Sequence, residues 1–541
     1  MSAKVSDTLA DIAEIPHPSR QRDLAFYAVL LLVILPLWSA VPFSWMFVLY
    51  TLHTGRIWSY TWHGKIWFAA ALCEVLFSVH HFLMVRSISG PSPNGPGHLD
   101  ELQAAFTRVL KAGLAGLSED DRDEETLDVD RPGSPAENIV QLKASNPHAI
   151  DFRNYMRTWF RKARWSSIRT QELYSWLYWS IYNTSLPPLE NLPPAHRVTL
   201  DDALSLIEKR SGTTIPQGSD PTTRPILLTL DKVNVHWRPL FWYVFVAASN
   251  CYQRWWLMRT WDVRFGCYNG LEYFIRIPKS WDPASGPRPI VFWHGLGLGL
   301  TQYQVFLSHH LRAFPDRPFL VPLQPHISQE IFHSKFLKPM GRHETTACVV
   351  GLLRELGWVS QKDKYTTDTE SEPEEASLGK SSRKGVVMLS HSNGSYAHTW
   401  MLKSYPQMVV RSCFVDPVTF CSWEGDVCYN FLYRQCTTGM ELLMRYFVGT
   451  ELGVANLLQR HFDWSSNALW YEEIPNARDP SKTMFLLGGK DAIVEAERVK
   501  RYLRSHGVRK GLYFDPDGRH GQALTAGGAG HAAIMEWLKG N

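Results

Sequence analysis

The sequence has no CxxC pair and no metal-ligand spacing among its eight cysteines, Cys73, Cys251, Cys267, Cys348, Cys413, Cys421, Cys428 and Cys436. In a chain of 541 residues this argues against a cysteine-held metal framework, and the thiols read as buried side chains rather than disulfide partners. Net charge is also scarce. The 56 Lys and Arg nearly balance 52 Asp and Glu, for a formal +4, which gives no argument for nucleic acid as the partner of the whole chain. From Leu24 to Leu52 there is no charge at all. No small-residue cleavage site follows that run, so it reads as retained and not as a signal peptide.

That first run is long enough to span a hydrocarbon core of roughly 30 Å, although Pro36 and Pro42 interrupt it. A second run, from Ile66 to Met84, carries Glu74, His80 and His81. Between them, "HTGRIWSYTWHGKIW" has the Trp and Tyr content of a hairpin turning in the headgroup layer. The chain has 22 tryptophans, many beside apolar runs or basic residues, a placement typical of the membrane–water interface. We therefore expect a polar tail (1–23), two transmembrane helices (24–86) and a multi-pass membrane protein, with an endomembrane such as the endoplasmic reticulum as its place. The competing reading is a buried helical pair in a soluble domain.

Length sets a prior of three or four units, at ~150 residues each. Residues 87–150 contain "SEDDRDEETLDVDRPGSP" and read as a solvated acidic linker with some helix before it. Residues 151–265 mix Arg and Lys with Trp, Tyr and Phe, as in "DFRNYMRTWFRKARW". Such a helical region either lies on the membrane surface or packs its aromatic face on the next domain. Within it "PLFWYVFVAA" (239–248) is too short to span and suits a core or an interfacial helix.

From residue 266 to the end the pattern is strand, loop, helix, repeated. "LEYFIRI" alternates, and "RPIVFWHG", "RPFLVPL", "KGVVMLSH", "VVRSCFVDP" and "KTMFLLGG" are short apolar runs bounded by turn signals, as buried parallel strands are. The fold class is α/β, an open, mostly parallel sheet with helices on both faces. Two insertions interrupt it: a polar, acidic loop at 362–384, expected to be disordered, and an aromatic segment at about 420–480, expected to be a helical cap.

Four segments place chemical groups at the C-terminal ends of these strands, where such sheets bind ligands. In "VVMLSHSNGSYAH" a serine, Ser392, sits between strand and helix patterns, with the small residues Ser390 and Gly394 two places to either side. That is the spacing of a nucleophile elbow, whose sharp turn admits only small neighbours. In "VFWHGLGLGL" the strand ends at His294 and Gly295, and the glycines, Gly297 among them, let backbone N–H groups point inward. Acyl transfer needs such donors for its oxyanion, and the expected pair is the N–H of Leu296 and of Asn393. The competing reading, a phosphate-binding glycine loop, lacks the following helix and acid.

A serine also needs a base, and the base an orienting acid. His520, in a glycine-flanked loop after the last strand, is the candidate base, with His531 behind it. Asp491, just beyond a strand end, is the candidate acid, and Asp416 in "CFVDPVTF" is the alternative. The order Ser392, Asp491, His520 is the one that enzymes with a nucleophile elbow on an α/β sheet use.

These four motifs resemble the α/β-hydrolase superfamily over about residues 266–541. The resemblance implies an eight-stranded, mostly parallel sheet, a helical cap over the site, and neither metal nor organic cofactor. Ser390 departs from it, standing where the commoner elbow has glycine. Within the superfamily the membrane-associated esterases and lipases look most similar. The expected function is a membrane-anchored serine hydrolase cleaving a carboxylic ester, with a lipid as substrate and the membrane as partner. An acyltransferase using the same residues and a non-catalytic scaffold that kept the fold are the alternatives.

Overall fold

The computed structural model describes residues 20–95, 99–111, 141–360 and 384–540. Most of the polar tail, the acidic stretch of the expected linker and nearly all of the loop expected to be disordered at 362–384 lie outside the described residues.

Eight strands form one sheet in the order β1-β2-β4-β3-β5-β6-β7-β8. They are β1 (Arg264–Tyr268), β2 (Leu271–Arg276), β3 (Ile290–Trp293), β4 (Phe319–Pro322), β5 (Val386–His391), β6 (Val409–Val415), β7 (Thr483–Gly488) and β8 (Leu512–Asp515). The pairs β1–β2 and β2–β4 are antiparallel and the rest are parallel. This is the α/β-hydrolase fold.

The central strands are buried on both faces, which is why their sequences are continuous apolar runs rather than alternating ones. The period-2 pleat divides their side chains between two cores. Val386 and Met388 of β5 and Phe414 of β6 face a layer that includes Val349, Met401 and Val499, from the helices Arg342–Glu355, Gly394–Ser404 and Ala496–Ser505. Val387, Leu389 and Cys413 face the other, with Phe306 and Ile534 from the helices Gln304–Ala313 and Ala529–Lys539. Strand β1 was not expected from the sequence. Its burial pattern is weak, and what creates it is the two-residue turn Asn269–Gly270, both at positive φ (47° and 83°), as a tight hairpin requires.

The chain passes from β3 outward to β4 and returns to β5, on the other side of β3. At that reversal the connections leave in opposite directions and open a crevice at the strands' C-terminal ends. Between β6 and β7 the chain builds the cap, with helices Gly439–Met444 and Leu452–Arg460.

Much of the stretch from Met156 to Leu228 packs into the same core as the sheet. Of the two readings of residues 151–265, membrane-bound or packed, the stretch 153–179 takes the packed one. Arg153 and Arg157 are buried beside Trp159, Phe160, Trp176 and Trp179. Trp159 Nε1 donates to Trp423 O of the cap at 2.8 Å, and Trp423 stacks on Trp470 at 4.0 Å. Arg498 joins Asp151 to the cap's Glu424 at 2.8 and 2.6 Å. The strands begin at Arg264, and Trp159, Trp179 and Leu228 ahead of them belong to the same core as Val291 and Phe414.

Two helices, Leu24–Thr54 and Trp62–Ser87, are long and apolar enough to cross a membrane. They pair as a hairpin whose outer surface is largely exposed apolar side chains.

Candidate active site

Strand β5 ends at His391, and the next residue, Ser392, takes a left-handed φ of 52°. That conformation strains a residue with a Cβ by about 1–3 kcal/mol, and it persists where surrounding structure holds it. Here Ser392 N donates to Val415 O on β6 at 3.0 Å, and the helix Gly394–Ser404 begins two residues on. Gly394 faces β3 so closely that a Cβ would stand 2.3 Å from Trp293 O. A Cβ on Gly295 would stand 2.9 Å from that of Ser392. Ser390 is fully buried. Its Oγ lies 2.9 Å from His398 Nδ1, and His398 Nε2 lies 3.0 Å from Ser412 Oγ. The position that departs from the commoner elbow thus carries a satisfied hydroxyl that links strand to helix.

Ser392 Oγ lies 2.8 Å from His520 Nε2, and His520 Nδ1 lies 2.6 Å from Asp491 Oδ2. The other carboxylate oxygen of Asp491 accepts from the N–H groups of Ile493 and Val494 at 2.7 and 3.1 Å, which fixes its orientation. Asp416, the alternative acid, does not hold the ring. Its two oxygens accept from Gly488 N at 2.9 Å and Gly521 N at 2.7 Å. It ties together the loops that carry Asp491 and His520. His531, on the helix Ala529–Lys539, packs edge-on against Phe306 and His309 of the helix Gln304–Ala313.

Burial opposes protonation of His520, but the Asp491 charge and hydrogen bond, with Asp416 behind them, push its pKa up to about 9. Burial raises Asp416 to about 6, with Asp491 adding to the rise while His520 and the two backbone donors oppose it. Asp416, Asp491 and His520 bring three metal-capable atoms within 4.8 Å of one another. Their oxygens and the ring Nδ1 are already taken up by the hydrogen bonds above, so this donor set does not fit a metal.

Leu296 and Asn393 line, with Ser392, a small apolar chamber of about 40 Å³. Among the described hydrogen bonds the N–H groups of Leu296 and Asn393 donate to no protein acceptor. The loop is shaped by groups around them. Gln302 Nε2 donates to Leu296 O at 3.1 Å, and Leu298 N donates to Gln302 Oε1 at 3.2 Å. Gly297, at φ 141°, donates to Ile327 O at 3.0 Å. His294 is buried, its pKa lowered by that burial to about 4, so it is neutral beside the site.

Three contributors were not singled out from the sequence. Tyr303 OH accepts from Gly295 N at 2.8 Å and lies 2.7 Å from His391 Nδ1, bracing the turn before the expected oxyanion donors. His391 stood inside the elbow motif, but nothing in the motif assigns it a partner. Leu228, from the region before the sheet, lines the chamber beside Ser392. A larger cavity of about 410 Å³ shares Asn393, Tyr396, Leu458 and Phe462 with that chamber, and Trp179 and Leu102 form part of its far wall.

No protein-family model and no curated protein sequence matches this chain. Among solved structures it is similar to a bacterial membrane phospholipase A, at 13% identity over 56% of this chain and 93% of that one, with a TM-score of 0.32. It is similar also to a carboxylesterase from Bacillus subtilis, at 9% identity over 55% and 99% (TM-score 0.32). A naproxen esterase from the same organism has 13% identity over 55% and 96% (TM-score 0.33). Superpositions this loose carry no weight for substrate or mechanism, which rest on the geometry above.

Proposed function

We propose that the protein is a membrane-anchored serine hydrolase that cleaves a carboxylic ester, with a lipid as its substrate. The observation that carries the reading is the chain Ser392 Oγ–His520 Nε2, His520 Nδ1–Asp491 Oδ2 at 2.8 and 2.6 Å, opening onto an apolar chamber. His520 takes the Ser392 proton on Nε2 as Oγ bonds to the acyl carbon. Charge on the former carbonyl oxygen is met by the N–H groups of Leu296 and Asn393. When the ester C–O bond breaks, the imidazolium returns the proton to the departing alkoxide and leaves an acyl-serine. Water, deprotonated by His520, then releases the acid. Asp491 holds the ring in the tautomer this needs and stabilises its charged form.

The lipid assignment is supported by the apolar lining next to Ser392 and by the two bilayer-length helices on the same chain. The test is fatty-acid release from phosphatidylcholine or triacylglycerol in vesicles. Wild type should release acid, and Ser392→Ala and His520→Ala should each fall to background. Release by both variants at the wild-type rate would overturn the reading. A second reading, transfer of the acyl group to an alcohol, is supported by the adjoining larger cavity, which has room for an acceptor and polar side chains such as His326 and Asn467 in its wall. Product analysis with and without added glycerol separates the two.

A further inference from the structure

The helix Leu240–Trp261 has two unlike faces. Tyr243, Val246, Asn250, Gln253 and Leu257 are buried, at alternating spacings of three and four. The opposite face, at the same period, presents Phe241, Val244, Phe245, Tyr252, Trp255 and Met258, each about half exposed (50 to 57%). Arg254, the one charged residue between Phe241 and Met258, is turned off that stripe and pairs with Glu330 at 3.1 Å. An uncharged aromatic stripe this long is unusual on a surface that meets only water.

The hairpin indicates what covers it. Trp38 of the first helix stacks on Trp237 at 4.6 Å, and Trp237 Nε1 donates to Trp38 O. On the second helix both carboxylate oxygens of Glu74 accept from Leu240 N, at 2.7 and 2.9 Å, capping the start of the striped helix. Phe77 packs on Tyr243 one turn later. The two arms are therefore clear of the domain only beyond Trp38 and before Glu74. At 1.5 Å per residue, the stretch from Trp38 to Thr54 rises about 24 Å and that from Trp62 to Glu74 about 18 Å. A hydrocarbon core is about 30 Å thick, so a hairpin whose tip reaches the far headgroups leaves roughly 6–12 Å of the near leaflet at the level of the domain. An amphipathic helix seats its apolar face to about that depth.

We propose that the helix Leu240–Trp261 lies in the membrane interface with its stripe in the near leaflet, a third lipid-contacting element that seats the catalytic domain on the bilayer. The proposal rests on the membrane anchoring in the proposed function and adds its orientation. The buried face of the same helix grips the loops beside the site. Thr301 Oγ1 donates to Asn250 Oδ1 at 3.2 Å, just after the glycine-rich turn, and Trp242 Nε1 donates to Gln329 Oε1 at 2.9 Å. Lipid on one face thus fixes the level of the glycine-rich turn on the other.

The test places a polarity-sensitive NBD fluorophore at single cysteines in the full-length protein. The background carries Cys73→Ser, Cys251→Ser, Cys267→Ser and Cys436→Ser, which removes the cysteines that are not buried. Phe245→Cys and Trp255→Cys report on the stripe, Leu49→Cys on the hairpin and Lys510→Cys on water; all four sites are exposed, so the fold should tolerate the changes. In phosphatidylcholine vesicles containing doxyl-labelled lipid, emission at 245 and 255 should fall about twofold or more, as expected of a probe at the acyl boundary, while iodide quenches only at 510. Quenching by lipid at 49 but by iodide at 245 and 255 overturns the proposal and leaves the anchor standing. No lipid quenching at 49, 245 or 255 removes the anchor too. Shielding of 245 and 255 from both quenchers means that protein, such as a second copy of the chain, covers the stripe, and also overturns it. Ester hydrolysis by the same preparations reports separately on the catalytic reading.

Discussion

A Cβ on Gly394 would stand 2.3 Å from the carbonyl oxygen of Trp293, so the helix after Ser392 begins as close to β3 as a peptide backbone allows. The contact is backbone against backbone, and neither side can give way cheaply. Gly394→Ala should cost about 1–3 kcal/mol in a urea melt, as overpacking does. It should also lower esterase kcat/KM by about 100-fold, because the shift misplaces Ser392 Oγ. Ser390→Gly makes the opposite case. It removes the partner of His398 Nδ1 and should cost about 1–3 kcal/mol of stability, with turnover changed only a few-fold.

The two acids should separate by mutation. Asp491→Asn leaves an amide that favours the wrong imidazole tautomer, and kcat should fall by about 10⁴-fold. Asp416→Asn sets an amide nitrogen against one of two backbone N–H groups, loosening the His520 loop. A fall of about 10-fold is expected there, as for a group that only positions others. The ratio of the two kcat values is the readout, and the reverse ranking would make Asp416 the acid.

Base catalysis requires neutral His520, so activity should rise with pH through its pKa. Because Asp491 and Asp416 favour the imidazolium strongly enough to overcome burial, the rising limb of kcat/KM should lie near pH 9, above the ordinary histidine range. Asp491→Asn removes most of that opposition to deprotonation, and the residual activity should rise at lower pH. The profile is best measured with an uncharged short-chain ester, so that the substrate does not titrate.

Leu228 comes from the region ahead of the sheet yet lines the chamber at Ser392. Leu228→Trp should fill part of that space. Turnover of p-nitrophenyl octanoate should drop by about 10-fold or more while the acetate changes little, since each excluded methylene forfeits about 0.8 kcal/mol of apolar burial. Equal effects on both esters would show that the acyl chain lies elsewhere.

The strands that carry the site were legible because burial on both faces makes β3, β5 and β7 largely apolar runs, each followed by a small or polar residue, and β6 reads the same way despite Arg411 and Ser412. Ser392 and Asp491 lie just beyond β5 and β7, and His520 in the loop after β8, so motif and chain order sufficed to nominate them. Strand β1 was not legible by hydropathy, since most of its residues are partly exposed; the Asn269–Gly270 dipeptide was its one local sign. Trp159, Phe160 and Trp176 illustrate a harder limit. An aromatic face beside basic residues suits a membrane surface and a protein core equally, and only the position of Trp423 in three dimensions decides between them. Tyr303, His391 and Leu228 reach the site through tertiary contacts that no local pattern encodes.

The central claim is that Ser392 is a nucleophile activated by His520, and a fluorophosphonate probe tests it most directly. Phosphonylation needs an activated hydroxyl and a hole for the developing negative charge, but no knowledge of the natural substrate. Wild-type protein in its membrane should label at Ser392, as located by peptide mass spectrometry. Ser392→Ala should not label, and His520→Ala should label more slowly by orders of magnitude. Labelling that persists in Ser392→Ala, or a wild type that stays inert while correctly folded in the bilayer, would contradict the account.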